Sequence, residues 1–416
     1  MHKVKDLKLA KAGEINIDLA AREMPVLKIL AAEFAKAKPF RNVRVAMCLH
    51  VTKETAVLAK ALQAGGAELA ICGSNPLSTQ DDVAAALARA GLNIFAWKGI
   101  GRKDYYQALN KVLDFKPQIT IDDGADLISL IHRGRTELLK TVWAGQEETT
   151  TGVIRLKAMA RDGALKYPVV AVNDTPTKHM FDNYYGTGQS TMDGLLRATN
   201  VLLSGKIAVV AGYGYCGKGM ALRAKGLGAR VIVTEVDELK ALQAVMDGFE
   251  VMPMLQAAPL GDVFLTATGD RDVIVASHMK LMKDGAILGN SGHFNVEISV
   301  PDLIKLARSH KPVRDQVEEY QLRSGRRLYL IAEGRLMNLA AAEGHPSAVM
   351  DMSFADQALT CLWLVKNYRK LGPQVYDVPA EIDERVARLK LQGLGVVIDK
   401  LTPAQKKYLS SWQEGT

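Results

Sequence analysis

The chain has 416 residues, 48% of them hydrophobic and 24% charged, the balance of an ordinary globular protein long enough for two or three domains. Its net charge of +8 arises from 53 basic residues dispersed among 45 acidic ones, with no basic arm. That pattern argues against a nucleic-acid partner and fits a mixed solvated surface that mildly attracts small anions. Cys48, Cys72, Cys216 and Cys361 form no CxxC or Cys/His pair at metal spacing, so no disulfide framework and no resident metal are expected, and a reducing cytoplasm is. The opening MHKVKDLKLAKAGEINIDLAARE lacks an uninterrupted apolar core, and no segment approaches the roughly 20 apolar residues of a membrane span.

No internal repeat or low-complexity tract interrupts the chain. From residue 43, short apolar runs alternate with amphipathic helical patterns: VRVAMCLH, AELAICGSN, NIFAW, QITIDDG and PVVAVND are the strands. Such alternation predicts a parallel sheet covered on both faces, ending near residue 175. The runs close on His50, Ser74–Asn75, Asp122–Asp123 and Asn173–Asp174, and ligands of open α/β sheets bind beyond the carboxyl ends of the strands. DNYYGTGQST then reads as a Gly-rich loop leading into the helix MDGLLRATNVLLSG. A second unit follows, with KIAVVA, ARVIVTEVD, GFEVMPM, DVFLTATGD and GAILGNSGH as strands. Beyond it the long apolar helix AVMDMSFADQALTCLWLVKNY is expected to pack back on the first unit, and LTPAQKKYLSSWQEGT reads as a helical tail.

The second unit opens on a dinucleotide-binding turn. Gly212, Gly214 and Gly217 directly follow a strand and precede a helix, which is the context the motif requires. They provide a tight turn, a close approach for a pyrophosphate, and close helix–strand packing, with the phosphates on the helix N-terminus. Glu235 ends the next strand 18 residues after Gly217. A carboxylate there accepts from a ribose diol and repels a 2′-phosphate, which favours NAD over NADP. Lys240 nearby is the one residue that pulls the other way.

With EETTTGV, AVNDTPTKHMFDNYYG, VVAGYGYCGKG and AEGRLMNLAAAEGHPS in this order, the chain closely resembles the S-adenosylhomocysteine hydrolase family from about residue 20 to about residue 408. The resemblance implies an α/β protein of two doubly wound parallel-sheet domains. These are a discontinuous substrate domain (1–180 and 347–387) and a Rossmann NAD domain (181–346), followed by a C-terminal oligomerisation tail (388–416). It implies a homotetramer in the methyl cycle of one-carbon metabolism, and tightly bound NAD that is reused in each turnover. Oxidising the 3′-hydroxyl acidifies the C4′ proton; homocysteine is then eliminated, water adds, and the hydride returns.

Residue by residue, the resemblance places Lys178 and Asp182 at the 3′-hydroxyl, with Lys178 as its general base. That role calls for a lysine pKa depressed by burial or neighbours. His50 and Asp123 fall near C4′ and C5′ as proton-transfer groups, without an assignment of which acts when. Glu148 binds the ribose hydroxyls, and Thr149, Thr150 and Thr151 bind the cofactor. Thr52 and Glu54 read the base, and a carboxylate accepts from the adenine 6-amino group but repels a 6-oxo group. His345 contacts substrate and cofactor; Asn183, His293 and Asn338 contact NAD, as do Tyr215, Cys216, Lys218 and Gly219 in the glycine turn. His293 and His345 complete the catalytic set.

Two departures stand out. Thr187 follows NYYG where many members carry a cysteine, and the chain ends at SSWQEGT without the Lys and Tyr that in many members reach a neighbouring subunit's NAD site. Altered cofactor affinity or sharing is the expected consequence. The alternatives are a sister enzyme acting on S-inosylhomocysteine, a net NAD-dependent dehydrogenase, and a hydrolase-like NAD-binding regulator, which would have lost active-site positions that are all present here.

Overall fold

The computed structural model describes residues 1–413 and contains two eight-stranded sheets. In spatial order the first runs His2–Lys3, Asn93–Phe95, Glu68–Gly73, Arg44–Leu49, Ile119–Asp122, Ala144–Glu147, Val169–Ala171 and Val375–Asp377, every neighbour parallel. Strands such as Val45–Leu49 are buried along their whole length, because helices cover both faces. The winding reverses between Arg44–Leu49 and Ile119–Asp122. His50 and Asp123 are the first residues past those two strands, so they emerge side by side at the switch point.

The second sheet runs Glu250–Val251, Arg230–Thr234, Ile207–Ala211, Val263–Thr266, Ala286–Asn290, Arg327–Ile331, Val317–Leu322 and Ala307–Arg314. Its own reversal lies between Ile207–Ala211 and Val263–Thr266, directly beside the glycine turn. The last two strands are antiparallel, so this sheet is mixed where the sequence predicts a parallel one. The edge strand ARSHKPVR is almost wholly exposed and carries a proline, so it has neither alternation nor an apolar run to announce it.

DNYYGTGQST is not a loop. His179–Gly186 is a π-helical segment that passes without a break into the α-helix Thr187–Thr199. Its glycines serve close approach: a Cβ on Gly188 would press on the Gly219 backbone of a neighbouring helix, and one on Gly186 would strike the ring of His345 in a loop. The glycines that mimic a loop in the sequence are spacers in a helix.

Helix Ser347–Asn367 packs on the first sheet's helices and contributes Phe354, Ala355, Leu359 and Leu364 to that core. Asp351 in this helix accepts from the Val26 and Leu27 amides (3.1 and 3.0 Å) and from Lys390 (2.9 Å), capping helix Pro25–Ala37 from over 300 residues away. Helix Ala380–Gly393 buries Ile382, Val386 and Lys390 and runs straight through residue 388. The following helix, Pro403–Leu409, closes a capping box between Thr402 and Gln405 but buries no side chain. Residues 414–416 of the expected tail lie outside the described residues. Among the described residues, no helix is long and apolar enough to cross a membrane.

Candidate active site

One cavity of about 1290 Å³ lies between the carboxyl ends of both sheets. It is lined by nearly every residue singled out in the sequence, from His50, Thr52, Glu54 and Asp123 to Gly212, Glu235, His293, Asn338 and His345. Gly217, Lys218 and Gly219 do not line it; Gly217 and Gly219 act through packing.

At the first sheet's switch point, His50 Nε2 lies 3.1 Å from Asp123 Oδ2, and its Nδ1 meets Ser78 Oγ at 2.7 Å and Ser74 Oγ at 3.3 Å. Ser74 also donates to Asp123 (3.2 Å). Burial pushes the His50 imidazole down to about 4 against the pull of Asp123, so it is neutral near pH 7. His293, from the other domain, places Nδ1 3.5 Å from Asp123 Oδ1. The Asp123–Gly124–Ala125 loop is pinned by Glu147, whose carboxylate accepts from the Gly124, Ala125 and Thr149 amides at 2.8–3.0 Å. One buried side chain thereby fixes both the segment carrying Asp123 and the one carrying Glu148.

Lys178 is buried at the centre of a second cluster. Its ammonium donates to Asn183 Oδ1 (2.8 Å) and lies 3.4 Å from Asp182 and 3.6 Å from Glu148. Asp182 also holds His345 Nδ1 (3.0 Å) and accepts from Ser353 (2.8 Å), while Gln357 donates to Glu148 Oε2. The sequence-based expectation of a depressed lysine fails. Burial alone lowers the Lys178 ammonium, but the two facing carboxylates outweigh it and hold it above its ordinary value. Burial raises Glu148 to about 8, with Lys178 opposing, and Glu148 Oε1 has no hydrogen-bond partner. Asp182, although buried, is held well below the usual carboxylate range by Lys178 and His345.

Also lining the cavity, Thr52 caps helix Lys53–Ala64, and the buried Glu54 in its first turn accepts from Ser347 (2.6 Å). Thr187 Oγ1 lies 3.3 Å from His345 Nε2 and accepts from Cys216 Sγ (3.5 Å).

The glycine turn fits a dinucleotide. Gly212 adopts φ +94°, in the left-handed region that favours glycine, and a Cβ on Gly217 would overlap the Gly212 carbonyl. Around Gly214 a Cβ would meet nothing within 4 Å, which leaves the open approach a pyrophosphate needs at the start of helix Tyr215–Gly226. Glu235 accepts from the Tyr213 amide (2.6 Å) and the Val236 amide (2.8 Å), which ties the turn to the next strand end. Lys240 lines the same cavity and pairs with Asp237 (3.4 Å). The buried Asn338 Oδ1 has no partner, and Thr149, Thr150 and Thr151 line the same cavity.

Sequence reasoning missed Ser78, Ser347, Ser353 and Gln357. The last three lie in the apolar helix Ser347–Asn367, where five polar residues that prove fully buried (Asp351, Ser353, Asp356, Gln357, Thr360) were the available signal.

A dinucleotide fold facing a second doubly wound sheet across a cavity lined with acids, histidines and one buried lysine defines an NAD-binding enzyme with a separate substrate domain. The profile described as "S-adenosyl-L-homocysteine hydrolase, NAD binding domain" matches residues 183–344, and that of "S-adenosyl-L-homocysteine hydrolase" matches residues 1–146. The chain belongs to the S-adenosyl-L-homocysteine hydrolase family. It is 59% identical to an adenosylhomocysteinase of Aquifex aeolicus over 99% of both chains. It is 57% identical to an S-inosyl-L-homocysteine hydrolase of Methanocaldococcus jannaschii over the full length of both, and 56% identical to an adenosylhomocysteinase of Thermococcus kodakarensis over 99% of this chain and 98% of that one. Among solved structures, a dipicolinate synthase from Bacillus halodurans shares the fold, with a TM-score of 0.50 at 12% identity over 79% of this chain and 99% of that one.

Proposed function

We propose that the chain catalyses the reversible hydrolysis of S-adenosyl-L-homocysteine to adenosine and L-homocysteine. The observation that carries this reading is the pair of buried clusters facing one cavity, Lys178–Asp182–Glu148 and His50–Asp123. Bound NAD, held by the glycine turn, Glu235, Thr149–Thr151, Asn183, Asn338, His293 and His345, supplies a reversible acceptor for the 3′ hydride. Lys178 and Glu148 take the 3′-hydroxyl proton as one coupled pair, which accepts it in the form that holds a single proton between ammonium and carboxylate. Asp182 anchors the ammonium and His345. Once the 3′ carbon is a ketone, His50 and Asp123, acting as one hydrogen-bonded unit, take the C4′ proton and pass a proton to the leaving sulfur, then take the proton lost by the entering water and return one to C4′. Mass analysis of the nucleotide carried by purified protein, paired with thiol release from S-adenosylhomocysteine, tests the reading; bound NAD without thiol release defeats it.

Glu54 supports adenine as the base. Its buried carboxylate is an acceptor, oriented by the Ser347 hydroxyl, and it suits an exocyclic amine better than a 6-oxo group. The second reading, S-inosyl-L-homocysteine as substrate, is favoured by the name of the M. jannaschii relative. Under the first reading, Glu54→Gln lowers the ratio of kcat/KM for the adenosyl over the inosyl substrate by about tenfold or more. Turnover of both nucleosides by the wild type and the variant checks it, and an unchanged ratio removes Glu54 from base selection.

The assembly proposed is a homotetramer in the reducing cytoplasm, where the four cysteines stay free as they are here. Support comes from the segment after Gly393. Val397 and Trp412 are 92% and 91% exposed, and Leu394, Ile398, Leu401 and Leu409 join them on the surface, an apolar strip suited to a second copy. Deleting residues 394–416 is expected to convert the tetramer to smaller species in sedimentation velocity and to lower NAD retention. A truncated chain that remains tetrameric contradicts the assignment.

A further inference from the structure

Thr177, the residue before Lys178, is held by two carboxyl groups from distant parts of the chain. Its Oγ1 stands 2.8 Å from Asp356 Oδ2 and donates to Asp383 Oδ1, and its amide donates to that same Asp383 oxygen at 2.8 Å. We propose that Asp356 is a neutral carboxylic acid at neutral pH, and that the chain Asp356–Thr177–Asp383 is a positioning device for Lys178. The role at Lys178 rests on the hydrolase reading; the protonation of Asp356 does not.

Proton counting carries the first part. A hydroxyl has one proton to donate and lone pairs with which to accept, so Thr177 cannot donate to both carboxyl groups at once. With both acids ionised, one carboxylate oxygen would face the hydroxyl lone pairs at hydrogen-bonding distance, and two anions would crowd one side chain. One acid must hold a proton and donate it to Thr177 Oγ1. Asp383 is the ionised partner: it accepts twice from Thr177, and it lies in the first turn of helix Ala380–Gly393, where the helix dipole favours an anion. Asp356 is the acid. It is fully buried, and its Oδ1 has no hydrogen-bond partner among the described residues, which a carbonyl oxygen tolerates far better than a carboxylate oxygen. Burial raises its carboxyl well above the ordinary value; the Thr177 hydrogen bond and the Lys178 ammonium oppose this, while Asp383 and Glu148 add to it.

The placement on the helix carries the second part. Ser353, Asp356 and Gln357 stand at i, i+3 and i+4 of helix Ser347–Asn367 and share one face. Ser353 donates to Asp182 at 2.8 Å, Gln357 donates to Glu148, and Asp356 holds Thr177. One helical face thus fixes both carboxylates around the Lys178 ammonium and the segment that carries the Lys178 backbone. Thr177 and Lys178 belong to the three-residue helix Pro176–Lys178, which has no side-chain cap of its own and packs on both larger helices. A neutral Asp356 supplies a hydrogen-bond donor there without adding another negative charge beside Glu148 and Asp182.

Infrared difference spectra of the NAD-loaded wild type against Asp356→Asn test the protonation without turnover. At neutral pH the wild type is expected to show a carbonyl band of a protonated carboxylic acid that the variant lacks and that shifts in D2O. Single-turnover oxidation of S-adenosylhomocysteine, scored on folded, NAD-bearing chains, tests the positioning. Asp356→Asn keeps a neutral donor and is expected to react near the wild-type rate. Asp356→Leu has similar volume and no donor, and is expected to slow the step at least about tenfold with substrate affinity unchanged, because Lys178 is misplaced. Thr177→Val removes the same link with its shape intact and is expected to show the same slowing, so the test stands if the leucine variant fails to fold. Absence of the difference band, an asparagine variant as slow as the valine one, or a wild-type rate in Thr177→Val overturns the proposal. A difference band in a protein whose wild type neither oxidises substrate nor releases thiol instead overturns the hydrolase reading and leaves the neutral acid standing.

Discussion

Lys178→Ala retains NAD and loses the first oxidation by about 10²- to 10⁴-fold, the range for a lost acid–base group. Of the cofactor contacts only Asn183 touches Lys178, at 2.8 Å, and the rest lie on other elements, so nucleotide content measured after denaturation stays near the wild-type level. The loss has two sources. The 3′-hydroxyl proton no longer has its route through the Lys178–Glu148 pair, and the buried Asp182 carboxylate is left without the cation that balances it. The second source also costs stability, so a fall in melting temperature is expected beside the kinetic defect. Single-turnover oxidation of substrate by NAD-loaded variant separates the two, because it scores only folded, cofactor-bearing chains. Wild-type rates in that assay remove Lys178 from the reaction.

The second large effect concerns the cofactor. A Cβ at Gly217 would overlap the carbonyl oxygen of Gly212, a backbone atom fixed by its own tight turn, so the turn must open. Gly217→Ala is expected to purify without NAD and without activity, with overpacking costing about 1–3 kcal/mol. Gly214→Ala is the informative contrast. No atom lies within 4 Å of the added methyl, so the ligand-free fold is undisturbed and only the approach of the pyrophosphate suffers. Thermal melts and nucleotide analysis of both variants check this. If Gly217→Ala carries a full complement of NAD, the reading of the turn is wrong.

Much of this site was legible in the sequence because its chemistry sits at punctuation points. His50 and Asp123 end strands, and Gly212, Gly214 and Gly217 mark a strand-to-helix turn; such positions are fixed by local backbone geometry, which local sequence encodes. Two things were not. Ser353 and Gln357 reach Asp182 and Glu148 from a helix about 170 and 209 residues further on, a juxtaposition only the assembled fold creates. The sign of the Lys178 shift depends on two distances, 3.4 and 3.6 Å, that decide whether charge or burial prevails. The π-helical turn at His179–Gly186 was hidden for a related reason, since its glycines read as a loop until the helix they pack against is in place.

The central claim is that the sugar is oxidised and reduced again within one turnover, by NAD that does not leave. Stopped-flow mixing of NAD-loaded protein with S-adenosylhomocysteine, following the near-ultraviolet band of reduced nicotinamide together with thiol release, tests it most directly. The account predicts a band that rises before thiol appears, stays below one equivalent per chain, and decays as substrate is exhausted. Thiol release with no such band, or a band that accumulates steadily in solution as in a net dehydrogenase, would contradict it.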